Sequence, residues 1–340
     1  MSLSRHPLLP LLGLPALLGA AMLAALSIGR YPLPVDDILR LLGAALGWRP
    51  LPPEEFEVLY NLVVRIRLPR VLAAVLVGAA LASSGAAFQA VFRNPLVSPG
   101  LLGVLAGAAF GAALGILLSL DWLQVQALAF AMGVAAVAIG VGIATLFGGG
   151  AIVMLVLGGI VSAALFSSLL SMVKYVADPY NQLPAIVYWL MGSLAVADLT
   201  QVGSLALPIG GGVLLLSALG RALDALSMGD DEARTLGVPV RAVRYTVIAA
   251  ATLVSALTVS LAGMIGWVGL IVPHIARLLV GPGNSRLLPA SAGLGALFLL
   301  GADSLSRTWS TTEIPIGIVT ELIGIPVFLL VLGRARKAWA

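Results

Sequence analysis

Few side chains in this 340-residue sequence are of a type that does chemistry, and their spacing narrows what that chemistry is. Its only lysines, Lys174 and Lys337, are neither preceded by glycine nor followed by Ser or Thr, so no Gly-Lys-Ser/Thr loop cradles the phosphates of ATP. There is no cysteine and there are two histidines, which removes disulfides, thiolate nucleophiles and Cys-type zinc sites and leaves too few ligands for a His-rich metal centre. Asp303 and Glu321 fall inside long apolar runs, where a carboxylate is a candidate for handling ions or protons. His274 lies near the end of another such run, a setting in which a single histidine more often packs or caps than relays a proton. The densest polar stretch is 220–244: Asp230, Asp231 and Glu232 come first, Arg234 follows, and Gly237 and Pro239 close it. Acidic residues at a helix start with glycine and then proline at its end predict one short helix, near 226–238, that docks rather than catalyses. A solvated loop with incidental helical turns is the competing reading.

The elements that position these residues are built for lipid. The chain is 60% hydrophobic and 10% charged with a mean hydropathy of +1.08, whereas soluble domains carry about 25% charged residues. No soluble interior is large enough to hold that excess, so an all-α, multispan membrane protein follows. The net charge of +4 is spread through loops rather than gathered in a basic stripe, which excludes a nucleic-acid partner and leaves membrane lipid as the surroundings. Ten apolar runs are long enough to be candidate spans: 8–29, 71–91, 100–119, 124–146, 151–173, 185–219 (broken and overlong), 245–263, 265–280, 287–304 and 315–332. The first resembles a secretory signal, with Ala24, Ala25 and Ser27 near a cleavage point, but the run from Leu8 to Ile28 exceeds a usual signal core and reads as the first helix.

With the N-terminus inside, 11 of the 19 basic residues fall in inner loops and 8 in outer ones, a modest bias for that orientation. The outer segment 30–70 is expected as a loop. No soluble domain remains between the spans, so residues 1–340 form a single membrane domain. Small-residue patterns such as Gly78-Ala79-Ala80 and Gly103-Val104-Leu105-Ala106-Gly107 imply close backbone packing. Asn94-Pro95 and Pro99-Gly100 mark a tight inner turn, and the prolines of Asp178-Pro179-Tyr180-Asn181-Gln182-Leu183-Pro184 forbid a continuous helix there. Such a break borders either a pathway or a plain surface hairpin.

Five ordered stretches resemble the FecCD family, the permease subunits of type II ATP-binding-cassette importers for iron-siderophores, haem and vitamin B12. They are Arg67-Leu68-Pro69-Arg70 with Gly78 and Gln89; Asn94-Pro95-Leu96 with Pro99 to Gly103; Gly229 to Gly237; Gly266 to His274; and Asp303 to Arg307 with Pro315-Ile316-Gly317 and Gly324-Ile325-Pro326. The resemblance implies a ten-helix subunit of the bacterial inner membrane, both termini cytoplasmic, paired with a second copy as a homodimer and with the pathway along the dimer interface. It implies that Gly229, Asp230, Asp231, Glu232, Ala233, Arg234, Leu236 and Gly237 couple to one of two ABC ATPase subunits. It also implies that Arg65, Arg67, Arg70 and Arg307 meet carboxylates of a periplasmic or lipid-anchored substrate-binding protein. Phe147, Gly148, Gly149 and Gly150, with Asp178 and Asn181, stand as pathway or gate residues. No cofactor is expected on this chain; ATP and magnesium belong to the partner ATPase. The expected cargo is a metal chelate, with molybdate or tungstate the alternative from a related branch. A secondary transporter driven by an ion gradient through Glu321, Asp303 and His274 is one rival; a non-transporting scaffold or sensor is the other.

Overall fold

The computed structural model describes residues 9–148, 151–195 and 197–339, with side chains described from 13 to 331. Among the described residues every regular element is helical, as expected where no water is at hand for backbone groups and each helix bonds its own. In chain order these are α1 (Leu9–Ser27), α2 (Val35–Ala45), α3 (Pro53–Tyr60), α4 (Leu68–Val91), α5 (Val104–Leu117), α6 (Trp122–Gly148), α7 (Ile152–Val176), α8 (Gln182–Leu190), α9 (Leu199–Ala218), α10 (Gly220–Met228), α11 (Asp230–Thr235), α12 (Val240–Ala262), α13 (Val268–Val280), α14 (Asn284–Thr308) and α15 (Ile316–Trp339).

Six helical stretches are long and apolar enough to cross a membrane: Pro53–Val91, Trp122–Gly148, Ile152–Val176, Leu199–Ala218, Val240–Ala262 and Asn284–Thr308. Four shorter apolar helices, Gly13–Ser27, Val104–Leu117, Val268–Val280 and Ile316–Val331, occupy the remaining predicted runs.

Helix α4 is the axis of the bundle, packed against α14, α12, α9 and α13. It reaches that position through glycine. A Cβ on Gly78 would stand 2.2 Å from the Gly295 carbonyl oxygen, and one on Gly295 would stand 2.2 Å from that of Gly78, so α4 and α14 touch backbone to backbone. A second crossing sets Gly85 against the Gly269 backbone of α13, one turn below the point where Gln89 Nε2 donates to the Gly269 carbonyl at 3.4 Å. Helices α5, α6 and α7 form a second packed group.

Two expectations need correction and one is borne out. The segment 30–70 is not a loop: α2 is amphipathic and buries Ile38 and Leu41 with Leu33, Leu59 and Val63, while α3 continues through a π-helical turn, Asn61–Arg67, straight into α4. The run 185–219, expected to be broken, is two helices, α8 and α9, parted at Gly192, whose φ of 75° suits glycine. The polar island 220–244 holds two helices rather than one. Gly229, at φ 146°, separates α10 from α11, and any side chain there would meet the Glu232 carboxylate as well as a forbidden backbone.

The backbone is also irregular from Gly263 to Trp267, between α12 and α13. Beside it the segment after α8 is tied to the end of α12 and to the start of α15: Ser193 N donates to the Ala262 carbonyl at 2.9 Å, Ile316 N to that of Gly192 at 3.2 Å and Gly317 N to that of Met191 at 3.1 Å.

Candidate functional site

Polar side chains gather at the two ends of α4. At its start, Arg67, Arg70 and Arg307 are 5%, 8% and 6% exposed, and their donors are spent inside the fold. Arg70 Nε donates to Asp303 Oδ1 at 2.7 Å and its Nη1 to Glu313 Oε2 at 2.8 Å. Asp303 is fully buried, and its other oxygen lies 3.1 Å from Arg307 Nε. Arg67 donates to the carbonyls of Leu26 at 2.5 Å, Ser27 at 3.1 Å and Tyr31. Arg307 donates to those of Ile28 at 2.9 Å and Ala25 at 3.1 Å. The last carbonyls of α1 have no intrahelical partner and sit at the negative end of its dipole, so two guanidinium groups satisfy them and match their charge. Within this chain these three arginines, expected as docking residues, lock α1 and the loop 309–315 onto α4 and α14. Arg65 alone of the four remains exposed, its guanidinium 5.9 Å from the centre of the Tyr60 ring.

At the far end of α4 stands the acidic knuckle. Asp230 opens α11 and accepts from two arginines. Arg244, on the first turn of α12, reaches both carboxylate oxygens at 2.8 Å, and Arg93, just past α4 with φ 49°, closes from the other side. Burial works to raise the Asp230 carboxyl, but the hydrogen bond and charge of Arg244, with Arg93 and Arg234 behind it, hold it below its ordinary value. Ala233 is fully buried in the cluster that includes Leu223, Leu226, Val240 and Val243. On the solvent side Asp231 pairs with Arg234 at 2.6 Å, and Glu232, Gly237, Met228 and Leu236 are exposed. Helix α10 is fixed in turn. Asp224 accepts from the Asn284 N–H at 2.5 Å, which caps the start of α14, and Asn284 Nδ2 donates to Ser227 Oγ at 3.2 Å. The result is a short helix, rigidly seated and bare on one face.

Arg93, Arg244 and Asp224 were not singled out as site residues by sequence reasoning. The one available signal was position: each flanks the acidic run or the Asn94-Pro95 turn, but nothing in the sequence pairs Arg93 with a carboxylate 137 residues away.

The gate residues are less coherent. Phe147 is exposed on the last turn of α6 beside Gly148; Gly149 and Gly150 lie outside the described residues. Asp178 and Asn181 are turned on each other, with the Asn181 N–H and Nδ2 donating to Asp178 Oδ2 at 2.9 and 2.8 Å, a local turn that starts α8. The proposed relay also comes apart: Asp303 belongs to its arginines, and His274 Nε2 lies 3.0 Å from the Pro95 carbonyl with its ring edge against Phe328. Among the described residues no cluster of His, Asp and Glu is arranged to hold a metal ion.

The chain belongs to the FecCD transport family, whose model matches residues 17–334. It is 37% identical to the molybdate import system permease protein MolB of Haemophilus influenzae, over 96% of both chains. It is 36% identical to the vitamin B12 import system permease protein BtuC of Klebsiella pneumoniae, over 96% of this chain and 94% of that one. A solved structure described as an inward-facing conformation of a metal-chelate type ABC transporter superposes with a TM-score of 0.84 at 36% identity, covering 95% of this chain and 98% of the other. The protein is a multi-pass permease of the inner membrane, a transport component whose ATPase is a separate subunit.

Proposed function

We propose that this permease moves a metal chelate (a ferric siderophore, haem or cobalamin) from a substrate-binding protein into the cytoplasm. In this reading ten helices cross the membrane with both termini inside, two identical copies pair, and each copy seats α11 in a cleft of one ABC ATPase. ATP and magnesium act on those partners, and the permease contributes two alternative conformations. The observation that carries the reading is the knuckle itself. Asp230 and Ala233 fix α11 from within while Asp231, Glu232 and Leu236 are left bare, so a force applied by a partner passes directly into α4 and α12.

Because the chain contains no cysteine, single-cysteine cross-linking tests this cleanly. Leu236→Cys or Glu232→Cys, in complexes assembled with the ATPase, should form a disulfide or bis-maleimide adduct with it. Arg65→Cys, at the opposite end, should instead link to the binding protein. Adducts with the two partners exchanged, or an ATPase that assembles and couples normally after α11 is replaced by a glycine-serine loop, would overturn the proposal. The 37% identity to a molybdate permease favours a second reading, in which the cargo is an oxyanion.

A further inference from the structure

We infer that Glu321 lies in a water-filled translocation path between two copies of this chain, and that it tunes that path toward neutral or cationic cargo and against compact oxyanions. This rests on the permease reading above and addresses the cargo class it leaves open.

Glu321 is five residues into α15 and is exposed, beside a stripe formed by Ile318, Leu322, Ile325 and Leu329. From Ile318 to Leu329 the stripe is roughly 16 Å long at 1.5 Å per residue. Asp303, the carboxylate inside the membrane part of α14, is buried between Arg70 and Arg307; Glu321 has no ion-pair partner among the described residues. An isolated carboxylate on a helix face turned to lipid is costly, whereas one turned to a water-filled cavity keeps its hydration. A second observation points the same way. Glu321 Oε1 lies alongside Gly266, in the non-helical segment Gly263–Trp267. None of the N–H groups from Met264 to Trp267 finds a backbone acceptor among the described residues. Irregular backbone at membrane depth persists only where protein buries it or water meets it. The carboxylate adjoins this segment at Gly266, so water that hydrates Glu321 also comes within reach of the Gly266 amide.

The remaining side chains of the stripe are aliphatic, and an apolar wall focuses the field of a single charge. Pairing two copies across the path brings two such carboxylates to bear on whatever passes. A small dianion is repelled there; a neutral chelate or a cation is not.

The test places single cysteines in the full-length chain, assembled with its ATPase subunits in proteoliposomes, and measures reaction with a cationic trimethylammonium and an anionic sulfonate methanethiosulfonate. Ile325→Cys should react with both, the cationic reagent several-fold faster. Adding Glu321→Gln should bring the two rates together, and Glu321→Lys should reverse their order. Leu207→Cys, on the exposed face of α9, should stay unreactive and serves as the lipid-facing control. If Ile325→Cys is as inert as Leu207→Cys, or if it reacts with no charge preference that Glu321 controls, the inference is overturned. Adding ATP-dependent uptake of labelled ferric siderophore, haemin and cobalamin separates the two proposals: uptake with an inert Ile325→Cys defeats this inference alone, and a charge-selective Ile325→Cys with no uptake of any of the three defeats the cargo reading alone.

Discussion

The burial of Arg70 and Asp303 makes a quantitative prediction about what holds the start of α4. Consider Asp303→Asn, which keeps the shape of the side chain and removes its charge. Arg70 retains Glu313 at 2.8 Å, and Arg307 retains the Ile28 and Ala25 carbonyls at 2.9 and 3.1 Å, but the charge between the two guanidinium groups is gone. Breaking a buried pair by removing one partner costs about 3–5 kcal/mol; with Glu313 compensating in part, the lower end, about 3 kcal/mol, is expected. The internal control is the pair Arg40–Glu55, made at the same 2.8 Å but with side chains 40% and 37% exposed. Water and salt screen an exposed pair so strongly that it adds little to stability, so Glu55→Gln should hardly register. Unfolding of the purified chain in mixed micelles, followed by tryptophan fluorescence against rising dodecyl sulfate, reads both variants on one scale. Equal shifts for Asp303→Asn and Glu55→Gln would refute the claim that these arginines are structural and return them to the surface as docking residues.

Four further outcomes follow from the geometry. Gly78→Leu, whose side chain begins 2.2 Å from the Gly295 carbonyl, should prevent accumulation of folded protein in the membrane, measured by expression and size-exclusion profile. Ala233→Leu overfills a site with no exposure; an overpacked core costs about 1–3 kcal/mol, and the variant should insert normally yet lose ATPase co-purification. Asp230 is depressed in the folded protein below its ordinary 3.8, so its ion pairs stabilise the knuckle fully above that value and are lost as pH falls through the lower folded one; proteolysis at 229–237 should rise in that acid window for the parent and be constitutive in Asp230→Asn. Arg65→Glu should weaken capture of the binding protein without changing stability, checked by pull-down and by the same dodecyl sulfate titration.

The helices were legible because their signal is gross composition: each of the ten apolar runs carries a helix, six of them in stretches long and apolar enough to cross a membrane. What failed to show was of two kinds. The hairpin of α2 and α3 is charged enough to pass for a loop, since Asp36, Asp37, Glu54 and Glu55 mask the buried spacing of Ile38, Leu41 and Leu59. The fate of the arginines was invisible for a different reason. Whether Arg70 faces outward or meets Asp303 depends on a contact across 233 residues, and neither residue type nor spacing encodes it. Motif residues such as Gly78, Gly85 and Gln89, by contrast, prove to be contact points between helices.

The two polar clusters share the same helices, and this constrains how the protein moves. Helices α4 and α14 are joined by Arg70–Asp303 at one end and touch at Gly78–Gly295 in the middle; at the other end Arg93 ties α4 to α11 while Asp224 ties α10 to α14. A pair fixed directly at two levels, and linked through α10 and α11 at the third, has no low-cost way to slide, because sliding breaks the buried Arg70–Asp303 contact and the Gly78–Gly295 backbone crossing. If a partner drives the knuckle as proposed, α4 and α14 should move as one body, with the change of shape falling on helices that bury little surface within this chain. Of the candidate spanning stretches, α9 and α7 are buried over only 17% and 28% of their most apolar windows, against 78% for the one that ends in α4. Hydrogen exchange in proteoliposomes should accordingly change in α7, α8 and α9 when nucleotide binds the partner, with α4 and α14 protected throughout. Nucleotide-dependent exchange appearing first within 78–91 and 291–303 would show that the central pair is itself the moving part.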